Sequence, residues 1–484
     1  MNRGAASAAL LALAACSVGP KYHRPDVPVP EAYRSPDATK EVASIADLGW
    51  WQMFKDPVLQ QLIRETLSAN QDLAAATARV DQARALAGVS RAAFWPQIGL
   101  RANYTFGQQM SNNYQEQLGT TATRGPAPNI GIFGELSWEI DLWGKVRNAS
   151  AASAADLMAA EAMRRGVVIT LVAEVARTYV ELRQLDLQLR ISTDNVALRK
   201  GTLDIFTDRS EGGIGNNLEV SRARADLAAT AATIPETRRL IALRENQLAV
   251  LRGLPPGPVP RGPDTALPLP PALPLGVPAA LLERRPDVLG AEQQAIAANA
   301  RVGVAVANRL PSLSLGGIIG LASPSFPSLF SANSLAWTVG GGLLQPLFEG
   351  GRLMFEQEAA EAVSDQRVAA YRQTVLTAIR EVTDAAVSVK EFGAVRRERE
   401  VQVAAAREGQ ELAMLRYQGG VSSYLEVLDA QRWAFQAELE LLDATRNELA
   451  SAILLYRALG GGWEIAPPAI EAAGDAKKDA PPKG

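Results

Sequence analysis

Apolar and polar side chains alternate strictly in residues 97–106 of the first half of the chain, and residues 132–142 largely repeat this pattern. Since successive side chains of a β-strand point to opposite faces, each stretch predicts a strand with one apolar face. The second half supplies two more, at 313–319 and 337–343. An alternating strand of about 10 residues with aromatic residues near its ends is typical of a transmembrane β-barrel. Taken singly, each strand fits a half-buried sheet of a soluble protein equally well.

Two long stretches, 145–208 and 352–418, contain no proline. At ~1.5 Å per residue, each would form a helix of about 95–100 Å. Apolar residues recur at every seventh position in the first stretch and in the helix predicted after the second, which indicates coiled-coil packing. Such helices could line a tunnel or form a plain antiparallel pair. These positions are Val168, Val175, Leu182, Leu189, Val196 and Leu203, then Leu428, Phe435, Leu442, Leu449 and Tyr456.

The second half of the chain repeats the first. Residues 209–220 read RSEGGIGNNLEV and residues 416–427 read RYQGGVSSYLEV, an offset of 207. Pro96 and Pro311 lie 215 apart, so a loop before residue 144 is eight residues longer in the first half. A register kept over so long a stretch indicates a tandem duplication. Each half is predicted as helix, strand, strand, long helix, glycine turn and helix.

A proline-dense segment separates the two halves and excludes a regular helix or central strand. The tail is poor in large apolar residues, which predicts disorder. The predicted organisation is a signal peptide (1–15), a lipidated N-terminal segment (16–55), the first repeat (56–253), a proline-rich linker (254–286), the second repeat (287–462) and a C-terminal tail (463–484).

The N-terminus explains the single cysteine. A short basic start and an apolar run end in small residues before Cys16, which predicts a secretory signal peptide too short for a permanent membrane helix. These residues resemble the lipobox of bacterial lipoproteins, in which the thiol receives a diacylglycerol and cleavage leaves Cys16 as an N-acylated N-terminus. The alternative is a small buried cysteine beside an ordinary cleavage site. Ser17 is not aspartate, which by the rule for such lipoproteins permits sorting to the outer membrane.

Composition excludes several function classes. With a net charge of −3, the chain lacks the excess of positive charge that is typical of nucleic-acid binding. One histidine and one cysteine leave no material for a His/Cys metal site or a Ser–His–Asp triad. We therefore predict no catalytic site, no metal site and no cofactor except the lipid on Cys16. The carboxylates Glu135, Glu139 and Asp141 are interpreted as solvated groups that face a barrel lumen.

Membrane insertion would require several copies of the chain. No segment after the signal peptide offers the ~18–20 consecutive apolar residues of a membrane helix, so strands would have to make any span. Four strands cannot close a barrel, and open edges are not tolerated in lipid. A dimer would supply eight strands and a trimer twelve.

Glycine turns reverse the chain between the paired helices. They contain Gly212 and Gly213 in the first half and Gly419 and Gly420 in the second. Glycine supplies the positive φ that such helix ends need. A phosphate-binding loop is excluded because no Gly-Lys-Ser/Thr follows. We expect these turns at the end furthest from the membrane.

Taken together, five segments make the chain resemble the TolC superfamily, specifically the OprM-like (NodT-type) outer-membrane efflux lipoproteins. The resemblance runs from Cys16 to Trp463. The segments are CSVGPKYHRP (16–25), GWWQMFKDP (49–57), RPDV (285–288), YLEVLDAQR (424–432) and YRALGGGW (456–463).

This resemblance implies an α+β membrane protein that forms a homotrimer. Each chain would give four strands to a 12-stranded β-barrel and long coiled-coil helices to a periplasmic α-barrel. The N-terminal segment, the linker and the C-terminal part would form an equatorial belt. The implied partners are a periplasmic adaptor, which we expect at the glycine turns, and an inner-membrane pump of the resistance–nodulation–division class. The chain would be their passive, gated exit duct for drugs or other small toxic compounds.

The resemblance also implies a gate at the periplasmic end. Leu425 and Asp429 lie one turn apart on one helix face, and a three-fold axis would turn them into an apolar ring and a ring of carboxylates. Arg432 could tie the helix to an acidic group, for which the repeat suggests Glu219. Tyr417 matches a family tyrosine that helps to hold the coils closed. The alternative for Asp429 and Arg432 is an ordinary surface pair.

Two other functions stay open. One is an exit duct for metal-ion or protein export. The other, from a different class, is a lipid-anchored periplasmic coiled-coil scaffold without a pore.

Overall fold

The computed structural model describes residues 17–30, 49, 53–107, 127–262 and 281–461. The predicted signal peptide, Cys16, most of the predicted linker and the tail 463–484 lie outside these residues. The elements in chain order are α1 (Pro57–Ala69), α2 (Gln71–Ala92), β1 (Gln97–Gly107), β2 (Ala127–Ile140), α3 (Lys145–Glu211), α4 (Asn217–Leu251), α5 (Leu281–Arg284), α6 (Pro286–Ala307), β3 (Ser312–Ser323), β4 (Leu335–Leu344), α7 (Arg352–Gln418) and α8 (Tyr424–Ala458), with a short 3-10 helix (Ala332–Ser334) before β4.

The element lengths confirm the duplication. Helices α3 and α7 both have 67 residues, α4 and α8 both have 35, and α2 and α6 both have 22. The offsets predicted from the sequence reappear, since α3 and α7 begin 207 residues apart and β1 and β3 begin 215 apart. The same local signals therefore set the ends of both long helices.

The four strands form one antiparallel sheet in the order β1-β2-β3-β4. The alternating stretches are confirmed as strands, although β2 begins five residues before the predicted stretch and ends two residues before its end. The register pairs Leu100 with Gly134, and Leu136 with Gly317. Ile98 and Leu100 are 81% and 79% exposed, so no other described part of the chain covers this apolar face. A sheet packed on a core of its own chain would bury these side chains.

A side-chain cap fixes the start of α1. Asp56 Oδ1 accepts hydrogen bonds from the amides of Val58 and Leu59 at the start of α1, and Pro57 fits the first helical turn. The predicted linker contains the short helix α5 near its end, and Pro286 opens α6. None of the described helices is both long and apolar enough to cross a membrane.

By its internal contacts the chain divides into two units, each of which draws on both halves. The first comprises the described residues within 1–25, 79–160 and 291–371, and the second those within 26–78, 161–290 and 372–484. In the second unit, buried residues come from α1, α3, α4 and α8. They include Leu62, Ile63, Tyr179, Leu182, Leu248, Leu455 and Tyr456.

In the first unit, the segment that follows Cys16 lies along α6. The amide of Val18 donates to the carbonyl of Trp143 at 3.0 Å. Gly19 has a φ of +118°, and a Cβ there would lie 2.6 Å from the Cα of Gly303. Further along, both Nε and Nη2 of Arg24 donate to the carboxylate of Glu292. Only glycine at position 19 permits the close approach of its backbone to that of Gly303.

Candidate functional site

The two glycine turns share one geometry. Gly213 and Gly420 have φ angles of +77° and +73°, a region that disfavours residues with a Cβ. The amide of Ile214 bonds to the carbonyl of Arg209 at 3.1 Å, and that of Val421 bonds to Arg416 at 2.9 Å. These bonds close the C-termini of α3 and α7 in the manner of a Schellman motif.

The other two predicted turn glycines have a different role. Gly212 and Gly419 do not adopt positive φ, and their amides continue the helical pattern to Asp208 and Leu415. Of the two adjacent glycines in each turn, only the second therefore adopts a positive φ. Beside them, the side chains of Ile214 and Val421 are exposed.

A cluster of aromatic and apolar residues packs the helices behind these turns. Phe206, Tyr424, Val427 and Leu428 are buried together. The ring centroids of Phe206 and Tyr424 lie 4.0 Å apart. Burial is the main cause that raises the pKa of Tyr424 to about 12, and the nearby Asp226 acts in the same direction.

Tyr417 lies at the edge of this cluster. Its hydroxyl accepts a hydrogen bond from Arg209 Nη1 at 2.6 Å, which ties α7 to α3. Partial burial raises the pKa of Tyr417, Arg209 opposes this and Glu219 adds to it. Tyr417 and Glu219 therefore lie within electrostatic reach of each other, as expected of two groups near the same turns.

Arg432 does not pair with Glu219. Its Nε donates to Asp226 Oδ1 at 2.7 Å, so the suggested partner was wrong. The reason is the distance of each residue from the glycine turns, measured along the helices. Arg432 lies eight residues into α8 and Asp226 nine residues into α4, whereas Glu219 lies only two residues into α4. At ~1.5 Å per residue, Glu219 is about 9 Å closer to the turns than Arg432.

Asp226 is the centre of a buried ionic network. Its side chain is only 4% exposed, and it accepts from Arg199 Nη1 on α3 as well as from Arg432. Arg199 is also buried, and its guanidinium carbon lies 5.5 Å from the ring centroid of Phe435. Burial lowers the pKa of Arg199, while Asp226 acts in the opposite direction. Arg432 is 52% exposed.

The two proposed ring residues lie on the outer face of α8. Leu425 is 46% exposed and Asp429 is exposed. They are four residues apart and share one face of the helix with the exposed Trp433. Within the described chain this face is open, whereas the neighbouring Val427, Leu428 and Gln431 are buried.

Sequence reasoning missed Asp226, Arg199 and Phe206. The repeat offset contains a signal for the first, because Arg432 corresponds to Ala225, the residue beside Asp226. Arg199 and Phe206 lie in a long helix of mixed composition, where no local pattern distinguishes them. No group of His, Cys, Asp and Glu side chains that could hold a metal ion occurs among the residues the structure describes.

A model of the outer membrane efflux protein family matches residues 62–254 and again 277–461. The chain belongs to the outer membrane efflux protein family. The pyoverdine export outer membrane protein OpmQ of Pseudomonas putida is 33% identical over 459 residues, which cover 95% of this chain and 97% of that protein. The toluene efflux pump outer membrane protein TtgF of Pseudomonas putida is 32% identical, over 94% of this chain and 95% of that protein.

Solved structures agree with this assignment. The outer-membrane channel OprN is 32% identical and covers 93% of this chain and 100% of its own, with a TM-score of 0.84. The protein is thus an outer-membrane channel of the TolC superfamily and a component of a tripartite efflux pump. Its four-stranded sheet, paired long helices and duplicated halves are the features of that fold.

Proposed function

We propose that three copies of this chain form one passive exit duct that spans the outer membrane and extends into the periplasm. This proposal rests on the two edges of the four-stranded sheet. Within the described chain, β1 pairs only with β2, and β4 pairs only with β3. Unpaired edges are not tolerated in lipid, and neighbouring copies would pair them. Three copies supply twelve strands, and apolar side chains such as Leu100 would face the lipid.

The gate in this proposal is formed by the outer face of α8 near the glycine turns. Three copies around an axis would bring together an apolar ring of Leu425 and a carboxylate ring of Asp429. Arg432 and Tyr417 would hold α8 and α7 to the first half of the chain. This role is supported by their contacts with Asp226 and Arg209. Release of these contacts would let the helices move outward.

The glycine turns are the proposed contact points for a periplasmic adaptor, and a pump of the resistance–nodulation–division class would supply the energy. The exposed side chains of Ile214 and Val421 would offer apolar contacts to such a partner. The proposed cargo is small toxic compounds, consistent with relatives named for export of pyoverdine and toluene.

Cys16 is proposed to carry the lipid anchor, and no catalytic chemistry or further cofactor is assigned to the chain. The close packing of the segment that begins at Ser17 supports an anchor held near the first unit's helices. Mass spectrometry of the mature N-terminus would test this, since an unmodified thiol would contradict it.

Purified protein in a planar lipid bilayer tests the duct itself. We expect steady ion-conducting steps and a trimer in detergent. The variant Leu100→Arg should insert poorly, because a cation on the lipid face costs about 2–4 kcal/mol at mid-membrane. Thr105→Arg, on the other face of the same strand, is the matched control and should insert normally. A monomer without conductance would exclude the duct and favour a scaffold.

A further inference from the structure

We propose that Arg199 is a positioning residue that holds the buried charge of Asp226, so that Arg432 can leave and return without stranding an unpaired carboxylate. This inference rests on the proposed gate, in which Arg432 is the group that is released. It assigns to Arg199 a role separate from the gate face, because Arg199 lies inside the coil on α3.

The Asp226 carboxylate accepts hydrogen bonds from two arginines, one at each oxygen. Arg199 Nη1 donates to Asp226 Oδ2 and lies 3.4 Å from the carbonyl oxygen of the same residue, while Arg432 Nε donates to Oδ1. The two oxygens thus have different partners. Loss of one partner does not require the other to move.

The two arginines differ in burial. Arg199 and Asp226 are each 4% exposed, whereas Arg432 is 52% exposed. Arg432 can therefore regain water when its contact breaks. Arg199 cannot, because it lies beneath the Phe435 ring between the helices. The contact that is proposed to break is therefore the one made by the more exposed arginine, Arg432.

The energetic argument follows from the cost of a buried charge. Removing the only partner of a buried ion leaves an uncompensated charge and is strongly destabilising. If Arg432 were the sole cation at Asp226, opening would incur this cost in every subunit. With Arg199 in place, the carboxylate keeps a partner in both states. Among the residues that the structure describes, the other titratable group near this carboxylate is Tyr424, whose hydroxyl is neutral at physiological pH.

The test uses five variants of the full-length protein: Arg199→Met, Arg199→Lys, Arg432→Ala, the double variant Arg199→Met with Arg432→Ala, and that double variant with Asp226→Asn. Thermal unfolding of the detergent-solubilised assembly and conductance in planar bilayers are measured for each. Arg222→Met, an exposed arginine on α4 one turn from Asp226, is the surface control.

We expect Arg199→Lys to resemble the wild type, because it keeps the charge. Arg199→Met should remain closed, since Arg432 is then the only cation at Asp226 and is held more firmly. Arg432→Ala should leak with little change in Tm. The double variant should lose about 5–10 °C in Tm beyond the sum of the single changes. Asp226→Asn should restore most of this loss, because it removes the stranded charge.

Two results would overturn the inference. One is additive Tm changes in the double variant. The other is a non-additive loss that Asp226→Asn does not restore, which would mean that Arg199 acts only by packing against Phe435. Conductance separates this inference from the gate. If Arg432→Ala does not leak but the Tm pattern holds, the gate assignment fails while the charge compensation stands.

Discussion

Replacement of Arg432 by alanine tests the proposed gate most directly. The change removes the guanidinium whose Nε lies 2.7 Å from Asp226 Oδ1 and leaves Arg199 in place. A hydrogen bond to a charged group contributes about 1.5–3 kcal/mol. Because the Arg432 side chain is 52% exposed, solvent screening reduces its contribution to about 1 kcal/mol.

Three subunits that open together would multiply this effect. A total of about 3 kcal/mol corresponds to an open fraction higher by on the order of 100-fold. Single-channel recording in planar bilayers measures that fraction. Cellular uptake of a large antibiotic that the outer membrane normally excludes provides a second readout.

Arg407→Ala is the matched control for this prediction. Arg407 donates to Glu438 at 2.8 Å and is also largely exposed, so the variant removes a similar ion pair between α7 and α8 at a position further from the turns. We expect no leak from it. If Arg432→Ala and Arg407→Ala conduct equally, at the level of the wild type, the gate assignment is refuted.

Three further predictions concern the turns, the N-terminal segment and a buried phenol. Gly213→Ala should destabilise its turn by about 1–2 kcal/mol, because the left-handed region disfavours a Cβ, whereas Gly212→Ala should change it little; hydrogen exchange of the turn amides distinguishes the two. Gly19→Ala should loosen the N-terminal segment, because its Cβ would lie 2.6 Å from Gly303; faster limited proteolysis within residues 17–25 would support this, and an unchanged rate would contradict it. The pKa of Tyr424 is about 12 in the folded chain, against about 10 in the unfolded chain. The unfolded chain therefore loses its phenolic proton at lower pH than the folded chain. The free energy of unfolding should fall as the pH rises through this interval, by about 2–3 kcal/mol for this residue. Denaturant unfolding of Tyr424→Phe should lack that part of the decline.

The sequence predicted the elements well because their signals are local. Alternation placed the four strands, and the long proline-free stretches placed α3 and α7 to within three residues of their observed ends. The offsets of the repeat predicted which residues of the two halves correspond to each other. The start of β2 was missed because its first residues, which include Pro128 and Asn129, do not alternate and are strand residues only through pairing with β1.

The ionic network could not be predicted in the same way. Whether Arg432 meets Glu219 or Asp226 depends on the relative height of two helices that are separated by about 200 residues of sequence, and no periodicity within either helix encodes it. The heptad pattern marks which residues are buried but does not mark charged exceptions such as Arg199. Such pairings depend on tertiary packing.

The duplicated halves differ where the ionic network forms, and this difference has a consequence for assembly. Asp226 corresponds to Trp433 in the other half, and Arg432 corresponds to Ala225. Identical halves would carry the arginine and the aspartate in both repeats, so the same pair could form twice, once in each direction. Because the two copies have diverged, the polypeptide forms this pair once, with the acceptor on the first repeat and the donor on the second, and the two helical hairpins make different contacts.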